Sequence, residues 1–388
     1  MEKGLFLSGG TRFARLRSVA HSGGLLFGTL LVALPWAAHA SGTLVFMSGF
    51  DSSTSIGSPT NCGTSPSFCW ESITGSDSVS GYSWPPQFWG TQYAYDNGGV
   101  FQAMAAVPGV TASTLRDYVG NRIVNVKGHT GTASNKAVFM QITTDPNGQN
   151  EQGPAATQDA LQFFPASEGG DLYISYWIRF QPQMSRNMVG LDIAAGGVSG
   201  NHGTWRSFFA LKTGTSAPAG DLPSDNGDYR IEAYVMTACP QDLIDGHVAP
   251  CDDMDNNPNP APFWRVIGDN VAGGGYSPVN TWSVVSTAIP VPDDGSWNKV
   301  ELFWHRSSGS DGRFWMAMNG TQIANHLGPN MGQVSLPINR IMPALLYSGG
   351  YQPTYQWIDD LQIWDGGFPP ATCTSGVDAW CDPPYASH

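Results

Sequence analysis

The sequence has few charged residues and little helical periodicity. Only 13% of its 388 residues are charged. There are 18 basic and 31 acidic residues, so the net charge is −13. Nucleic acids are bound through concentrated Lys and Arg, so this balance argues against a nucleic-acid partner. Apolar residues rarely recur at the three-and-four spacing of an amphipathic helix, which disfavours an α-helical fold.

The sequence also lacks an apolar run long enough to cross a membrane. Its first 40 residues carry four basic residues, then "LLFGTLLVALPWAA", and end in "AHA" at Ala40. This stretch is shorter than the ~20 residues of a membrane-spanning helix and contains Pro35. We therefore interpret 1–40 as a cleavable signal peptide and expect a secreted or periplasmic protein without a transmembrane anchor after cleavage. Residues 41–388 alone carry a net charge of about −16.

No cysteine stands in a Cys-x-x-Cys motif, which disfavours a zinc site. The six cysteines form three pairs that are close in sequence: Cys62 with Cys69, Cys239 with Cys251, and Cys373 with Cys381. An even number of cysteines in an exported chain indicates disulfides. We expect local pairing, because each pair brackets a loop rich in Gly, Pro or Asp, although other connectivities are open.

Turn residues and aromatic residues are abundant instead. The chain has 47 Gly and 28 Pro, and 12% of its residues are aromatic. Many segments alternate between polar and apolar side chains, as strands with one buried face do. In "KVELFWHR", for example, Lys299, Glu301, Phe303 and His305 share one face, and Asn319-Gly320 ends the following hairpin. The sequence therefore predicts an all-β protein with long loops.

Five segments together resemble the concanavalin A-like lectin and glucanase superfamily. They are "LVFMSGFDSS" (44–53), "LYISYWIRF" (172–180), "WNKVELFW" (297–304), "DGRFWMAMNG" (311–320) and "WIDDLQIW" (357–364). The resemblance is strongest to polysaccharide-lyase-like and laminin-G-like members. It implies an antiparallel jelly-roll β-sandwich over 41–370, with a concave face that holds carbohydrate. Residues 371–388 would form a C-terminal tail with its own cysteine pair.

The resemblance to polysaccharide lyases implies a proton-transferring tyrosine just before the closing strand. "ALLYSGGYQ" offers Tyr347 and Tyr351 there. β-Elimination from a uronate needs a base, an acid and a group that neutralises the carboxylate. His305 is a further catalytic candidate, and Arg179, Arg206 and Lys212 are candidates for the neutralising group.

Two alternatives remain open. Glycoside hydrolysis needs two nearby carboxyl groups. In "DYRIEAY" Asp228 and Glu232 share a face, but Arg230 lies between them, which favours a salt-bridged row instead. A lectin-like or structural surface protein would instead bind glycans without cleaving them.

A lectin-like protein would use tryptophans such as Trp84 and Trp89, which lie in a Pro-rich segment that we expect to be an exposed loop. We also expect Glu301 to share one concave surface with His305, Arg230 and Glu232.

The segment "CDDMDNNPNP" is a candidate calcium loop. Asp253, Asp255 and Asn257 recur at every second position, and Ca²⁺ prefers such oxygen ligands. Alternatively, the segment is a solvated acidic turn. From the sequence we therefore predict an exported protein that binds or cleaves a polysaccharide, with lyase chemistry ahead of hydrolysis.

Overall fold

The computed structural model describes residues 41–51, 53–58, 60–64, 67–91, 99–105, 119–131, 135–142, 157–185, 205–214, 229–236, 262–270, 277–332, 336–348 and 354–370. Nineteen β-strands supply nearly all of the regular structure in these ranges. They are β1 (Thr43–Ser48), β2 (Ser55–Ile56), β3 (Thr60–Thr64), β4 (Ser67–Ser76), β5 (Ser83–Trp84), β6 (Gly99–Ala105), β7 (Val119–Val126), β8 (Asn135–Ile142), β9 (Thr157–Phe163), β10 (Leu172–Phe180), β11 (Trp205–Thr213), β12 (Tyr229–Met236), β13 (Phe263–Asn270), β14 (Ser277–Ser286), β15 (Trp297–His305), β16 (Arg313–Met318), β17 (Thr321–Leu327), β18 (Ile338–Ser348) and β19 (Thr354–Asp365). Within these ranges, no helix has the length and apolarity needed to cross a membrane.

The strands form two antiparallel sheets. The eight-stranded sheet has the order β17-β16-β15-β10-β19-β8-β7, and β1 pairs with the second half of β19. The eleven-stranded sheet has the order β14-β13-β12-β11-β18-β9-β6-β4-β2, and β3 and β5 pair with β4. The prediction of an all-β antiparallel fold is therefore confirmed.

One hydrophobic core lies between the two sheets. Alternate residues of β10 and β15, such as Ile174 and Leu302, point into it from the eight-stranded sheet. Ile231 of β12 and Leu211 of β11 enter it from the eleven-stranded sheet. Each sheet thus has one face on the shared core and one outward face, as in a β-sandwich. The residues between the core positions are the ones that can contact ligands.

The predicted hairpin turn at Asn319-Gly320 is confirmed. It joins β16 to β17, and both residues have positive φ angles of 51° and 74°. A two-residue turn with both φ angles positive follows the twist of antiparallel strands, and Asn-Gly adopts it most readily. Asn319 also accepts a hydrogen bond from the Lys299 backbone N–H at 2.8 Å, which ties the turn to β15.

A polar contact connects the two sheets at one edge. The side-chain amide of Asn121, on β7, donates to Glu71 of β4 at 2.5 Å and to Asp159 of β9 at 3.0 Å. Both carboxyl groups are buried. Burial raises the pKa of Glu71 to about 7, against an ordinary value of 4.5. Burial and the neighbouring Glu71 raise the pKa of Asp159 well above its ordinary value. Glu71 therefore keeps its proton up to about pH 7.

The predicted signal peptide (1–40) and C-terminal tail (371–388) lie outside the described residues. Four of the six cysteines also lie outside them. Within the described part of the chain no cysteine is free, and Cys69 of β4 is disulfide-bonded. The pairing of the cysteines stays a prediction.

Candidate functional site

Basic side chains gather on the outward face of the eleven-stranded sheet. Arg230 and Arg265 alternate with core residues on β12 and β13. Lys212 of β11 lies directly opposite Arg230 on one side and Arg340 of β18 on the other, so the three share a face. We call these four residues, Lys212, Arg230, Arg265 and Arg340, the cationic face. It concentrates positive charge in a chain of net charge −13.

Arg230 is held by two carboxylates. Its Nε and one terminal nitrogen donate to the two oxygens of Asp269 at 3.1 and 2.7 Å. Its other terminal nitrogen lies 3.2 Å from Glu232. A two-pronged pair of this kind is a strong charge-assisted contact. The predicted salt-bridged row thus includes Arg230 and Glu232, with Asp269 as a member from the neighbouring strand. Asp228 lies outside the described residues.

Tyr234 lies on the same outward face as the cationic residues. It lies on β12 directly opposite Arg265 on β13 and is buried. Burial, together with its hydrogen bond to Glu232 and the charge of that carboxylate, raises the pKa of Tyr234 well above 10, although Arg230 acts in the opposite direction. Tyr234 is therefore a protonated hydrogen-bond donor at neutral pH.

Tyr347 enters the same row through strand register. Ser207 of β11 lies opposite Tyr234 on one side and opposite Tyr347 of β18 on the other. The row across β13, β12, β11 and β18 therefore reads Arg265, Tyr234, Ser207 and Tyr347. One predicted catalytic residue, Tyr347, thus falls on a strand that borders the cationic face, and the predicted binding residue Lys212 belongs to that face. Tyr351 lies outside the described residues.

His305 and Glu301 belong to the other sheet. Both lie on β15 of the eight-stranded sheet, and core residues such as Leu302 and Trp304 separate their face from the interior. Arg230 and Glu232 lie on the outward face of the eleven-stranded sheet. The expectation that these four residues share one concave surface is therefore wrong. Alternation along a strand fixes which residues share a face, but it does not fix which sheet the strand joins.

Each of these two residues has local partners on its own sheet. His305 Nδ1 lies 2.8 Å from Asp171, and its Nε2 lies 3.7 Å from Asp311. Burial alone would lower the pKa of His305, but these two carboxylates outweigh it and raise the pKa. Glu301 is buried and accepts a hydrogen bond from the Tyr173 hydroxyl at 2.7 Å. The geometry therefore gives no support to His305 as a catalytic partner of Tyr347.

The two predicted loop tryptophans pack against the core. Trp84 is buried, stacks on Phe50 at 5.6 Å and donates from Nε1 to Ser48 at 2.8 Å. Trp89 is half-buried and packs against the same core. The prediction of an exposed loop tryptophan is wrong for Trp84. Its ring is buried because it packs against Phe46 and Phe50, which are distant in the sequence.

Four members of the site were not singled out from the sequence: Tyr234, Arg265, Asp269 and Arg340. A signal for two of them was present, because "FWRVIGDN" alternates Arg265 and Asp269 with apolar residues. The predicted binding residue Arg179 lies on β10 of the eight-stranded sheet. The proposed calcium ligands Asp253, Asp255 and Asn257 lie outside the described residues.

One group of side chains among the described residues could hold a cation. A ligand atom from each of His129, Asp359 and Asp360 lies within 4.8 Å of the others. His129 Nε2 is 2.5 Å from Asp360, and the Asn135 amide donates to Asp359. Burial, then Asp360 and Asp51, raise the pKa of Asp359 well above its ordinary value. A divalent cation would relieve this crowding of carboxylates, and one imidazole with two carboxylates is a donor set that fits an ion of the transition-metal type.

The similarity of this chain to known proteins is found in solved structures. No family model and no curated protein matches the chain. The solved structure of alginate lyase Aly36B is 12% identical with a TM-score of 0.37, and the match covers 69% of this chain and 94% of that one. An endo-β-1,4-glucuronan lyase from the fungus Trichoderma reesei is 10% identical with a TM-score of 0.37, over 64% and 90% of the two chains.

A third solved structure is the GH16 protein of a Bacteroides ovatus mixed-linkage glucan PUL. It is 9% identical with a TM-score of 0.39, over 68% of this chain and 94% of that one. All three similarities are weak in both sequence and structure. At such identities and TM-scores they carry no information on the reaction of this chain.

Proposed function

We propose that this chain is an exported carbohydrate-active protein that binds a uronate-containing polysaccharide on the cationic face and cleaves it by β-elimination. The observation that carries the proposal is the gathering of Lys212, Arg230, Arg265 and Arg340 on one sheet face of an acidic protein, with Tyr234 on the same face beside Arg265. Guanidinium and ammonium groups are suited to uronate carboxylates, and phenols can move protons.

The elimination assigns a role to each of the two tyrosines in the row Arg265, Tyr234, Ser207 and Tyr347. Cations of the face neutralise the uronate carboxylate, and Tyr347 is assigned as the base, acting as a phenolate. That phenolate takes the proton from the carbon next to the carboxylate, and the released electron pair forms a carbon–carbon double bond. The glycosidic carbon–oxygen bond breaks, and the leaving oxygen takes the proton of Tyr234. Tyr351 is the alternative base, since it lies four residues further along the chain.

A second candidate function is glycan binding without chemistry. It is favoured by the low exposure of the face: Tyr234 is 5% exposed, and Glu232, Arg265, Asp269 and Arg340 are 4% or less. In that case the ion network stabilises the sheet, and glycans bind elsewhere on the sandwich. Hydrolysis is less well supported, because Glu232 and Asp269 are both engaged by Arg230. A hydrolase would need one of them free as a general acid.

Export and disulfide pairing belong to the same proposal. Residues 1–40 have the three-part pattern of a signal peptide, which would deliver the chain to an oxidising compartment. Pairing of Cys62 with Cys69 is supported by the strands that carry them, because β3 and β4 pair through Thr60 with Trp70 and Gly63 with Phe68. Peptide mapping of the secreted, unreduced protein tests both points. It would find Ala40 removed and a peptide that joins Cys62 to Cys69.

The reaction is tested by two parallel assays on purified residues 41–388. A panel of polyuronates and neutral glucans is incubated with the protein, and absorbance at about 235 nm, which reports unsaturated uronate, is followed together with reducing ends. A rise of both on a polyuronate supports elimination. Reducing ends without absorbance would mean hydrolysis, and retention on a glycan gel with neither signal would mean a lectin-like protein.

A matched pair of arginine variants tests the location. Arg265→Gln removes a cation of the proposed site, and we expect polyuronate cleavage to fall by about 10-fold or more, the effect of one lost charge-assisted contact. Arg313→Gln removes a half-buried arginine from β16 on the other sheet and serves as the control. Equal activity of the two variants would contradict the assignment to the cationic face.

A further inference from the structure

A ladder of arginines and aromatic rings crosses the outward face of the eight-stranded sheet. Strand register places five residues side by side, each opposite the next on the neighbouring strand. In order from β15 to β7 they are Trp297, Arg179, Trp357, Phe139 and Arg122. We call this set the aromatic ladder. Neighbouring strands are about 4.8 Å apart, so the ladder extends about 19 Å, the reach of an oligosaccharide rather than of one sugar.

The rings of the ladder are held in place by one another. Trp357 packs edge-to-face against Phe139 at 5.2 Å and against Tyr355 at 5.3 Å. Arg179 lies over the Trp357 ring at 4.7 Å, and Arg122 lies over the Phe139 ring at 4.3 Å. Stacked guanidinium groups and interlocked rings lose little freedom when a ligand arrives, so the surface is preorganised for binding.

Four of the five ladder residues are accessible to solvent, whereas Arg265 and Arg340 of the cationic face are buried. Trp297, Arg179 and Trp357 are half-buried, and Arg122 is exposed. Among the described residues, neither Arg122 nor Arg179 has a carboxylate within ion-pairing distance. Their charge is therefore available to an anionic ligand.

We propose that the aromatic ladder is a second glycan-binding surface, and that its ligand is a stretch of an acidic polysaccharide. The apolar faces of sugar rings would stack on Trp357 and Trp297, and Arg179 and Arg122 would bind the carboxylates that alternate with them. This surface lies on the opposite side of the sandwich from the cationic face. It would hold the chain on a polymer without taking part in the reaction, and it stands whether or not the cationic face is catalytic.

Calorimetric titration with a short, size-defined polyuronate tests the proposal. The first variant is Arg179→Gln with Arg122→Gln, which keeps the rings and removes both charges. Arg313→Gln, on the same sheet but outside the ladder, is the control. We expect the double variant to lose one binding site relative to the unmodified protein, and the control to keep it. A neutral glucan of the same length should bind the ladder about 10-fold more weakly, because it lacks the carboxylates.

A second variant separates loss of binding from loss of folding. Trp357→Phe retains an aromatic ring in the row, so it should retain the site with reduced affinity, while Trp357→Ala should lose it. Urea unfolding of each variant confirms that the fold is intact. Equal stoichiometry and affinity in Arg179→Gln/Arg122→Gln and in the unmodified protein would overturn the proposal. So would self-association of the unmodified protein that Trp357→Ala abolishes, because the ladder would then bind a second copy.

The two proposals fail in different ways. If only the cationic face fails to bind, the unmodified protein shows one site and the double variant shows none. If only the ladder fails, the two proteins show the same single site. Release of unsaturated product from short oligosaccharides should be the same in the ladder variants and in the unmodified protein.

Discussion

Replacement of Glu71 by Gln should change the way in which stability depends on pH. Glu71 and Asp159 share the Asn121 amide between the two sheets, and the buried Glu71 has a pKa of about 7. The folded state therefore binds its proton more tightly than the unfolded state does, where the pKa is near 4.5. The stabilisation is full below pH 4.5 and is lost as pH rises through about 7.

The size of the effect follows from the two pKa values. One pKa unit corresponds to about 1.4 kcal/mol, so the difference between 4.5 and about 7 corresponds to about 3 kcal/mol. The unmodified protein should lose about 3 kcal/mol of its unfolding free energy through this group between pH 4.5 and pH 8. Glutamine keeps the shape and can accept the hydrogen bond from Asn121, but it cannot ionise, so Glu71→Gln should not show this loss.

Urea unfolding at half-unit pH steps from 4.5 to 8 provides the measurement. The difference in unfolding free energy between Glu71→Gln and the unmodified protein should grow with pH in favour of the variant. Asp294→Asn serves as a control, because Asp294 is exposed and the side-chain and backbone hydrogen bonds from Ser296 lower its pKa. That variant should follow the unmodified protein throughout this range. Parallel curves for Glu71→Gln and the unmodified protein would refute the reasoning.

Three further predictions concern single contacts. Trp84→Ala should destabilise the protein by about 3–5 kcal/mol in urea unfolding, because it empties a core site, and should leave glycan affinity of the folded protein unchanged; weaker retention with intact folding would return Trp84 to the binding surface. Tyr173→Phe should cost about 1.5–3 kcal/mol, since it removes a buried hydrogen bond to Glu301, and an unchanged urea midpoint would contradict this. Asp171→Asn should lower the pKa of His305 in an NMR titration, and a pKa that does not fall would mean that the carboxylate is not its partner.

Much of the strand pattern could be predicted, because side-chain alternation is a local property of the chain. "WNKVELFWHR" and "DYRIEAYVM" are strands, with the predicted division into two faces. β13 and β14 were not predicted, although "FWRVIGDN" alternates in the same way. The Asn319-Gly320 turn was predictable because its chemistry is also local.

The candidate site was predicted only in part, because it depends on contacts between distant segments. Arg230 and His305 both lie on alternating strands, yet hydrogen-bond pairing puts those strands into different sheets. Trp84 lies beside two prolines, which indicates a loop. Its ring nevertheless packs in the core against Phe46 and Phe50, more than 30 residues earlier in the chain. The alternation of Trp357 and Arg179 in the ladder exists only across strands, so no local pattern could reveal it.

The measurement that tests the central claim most directly is the release of unsaturated uronate by the unmodified protein and by Tyr347→Phe, side by side on one polyuronate. We expect absorbance at about 235 nm to rise with the unmodified protein and to fall by at least about 100-fold in the variant, while polyuronate binding is retained, because the phenol moves a proton in the reaction. Full activity of Tyr347→Phe, or the absence of product from every polyuronate with the unmodified protein, would contradict a lyase site on the cationic face.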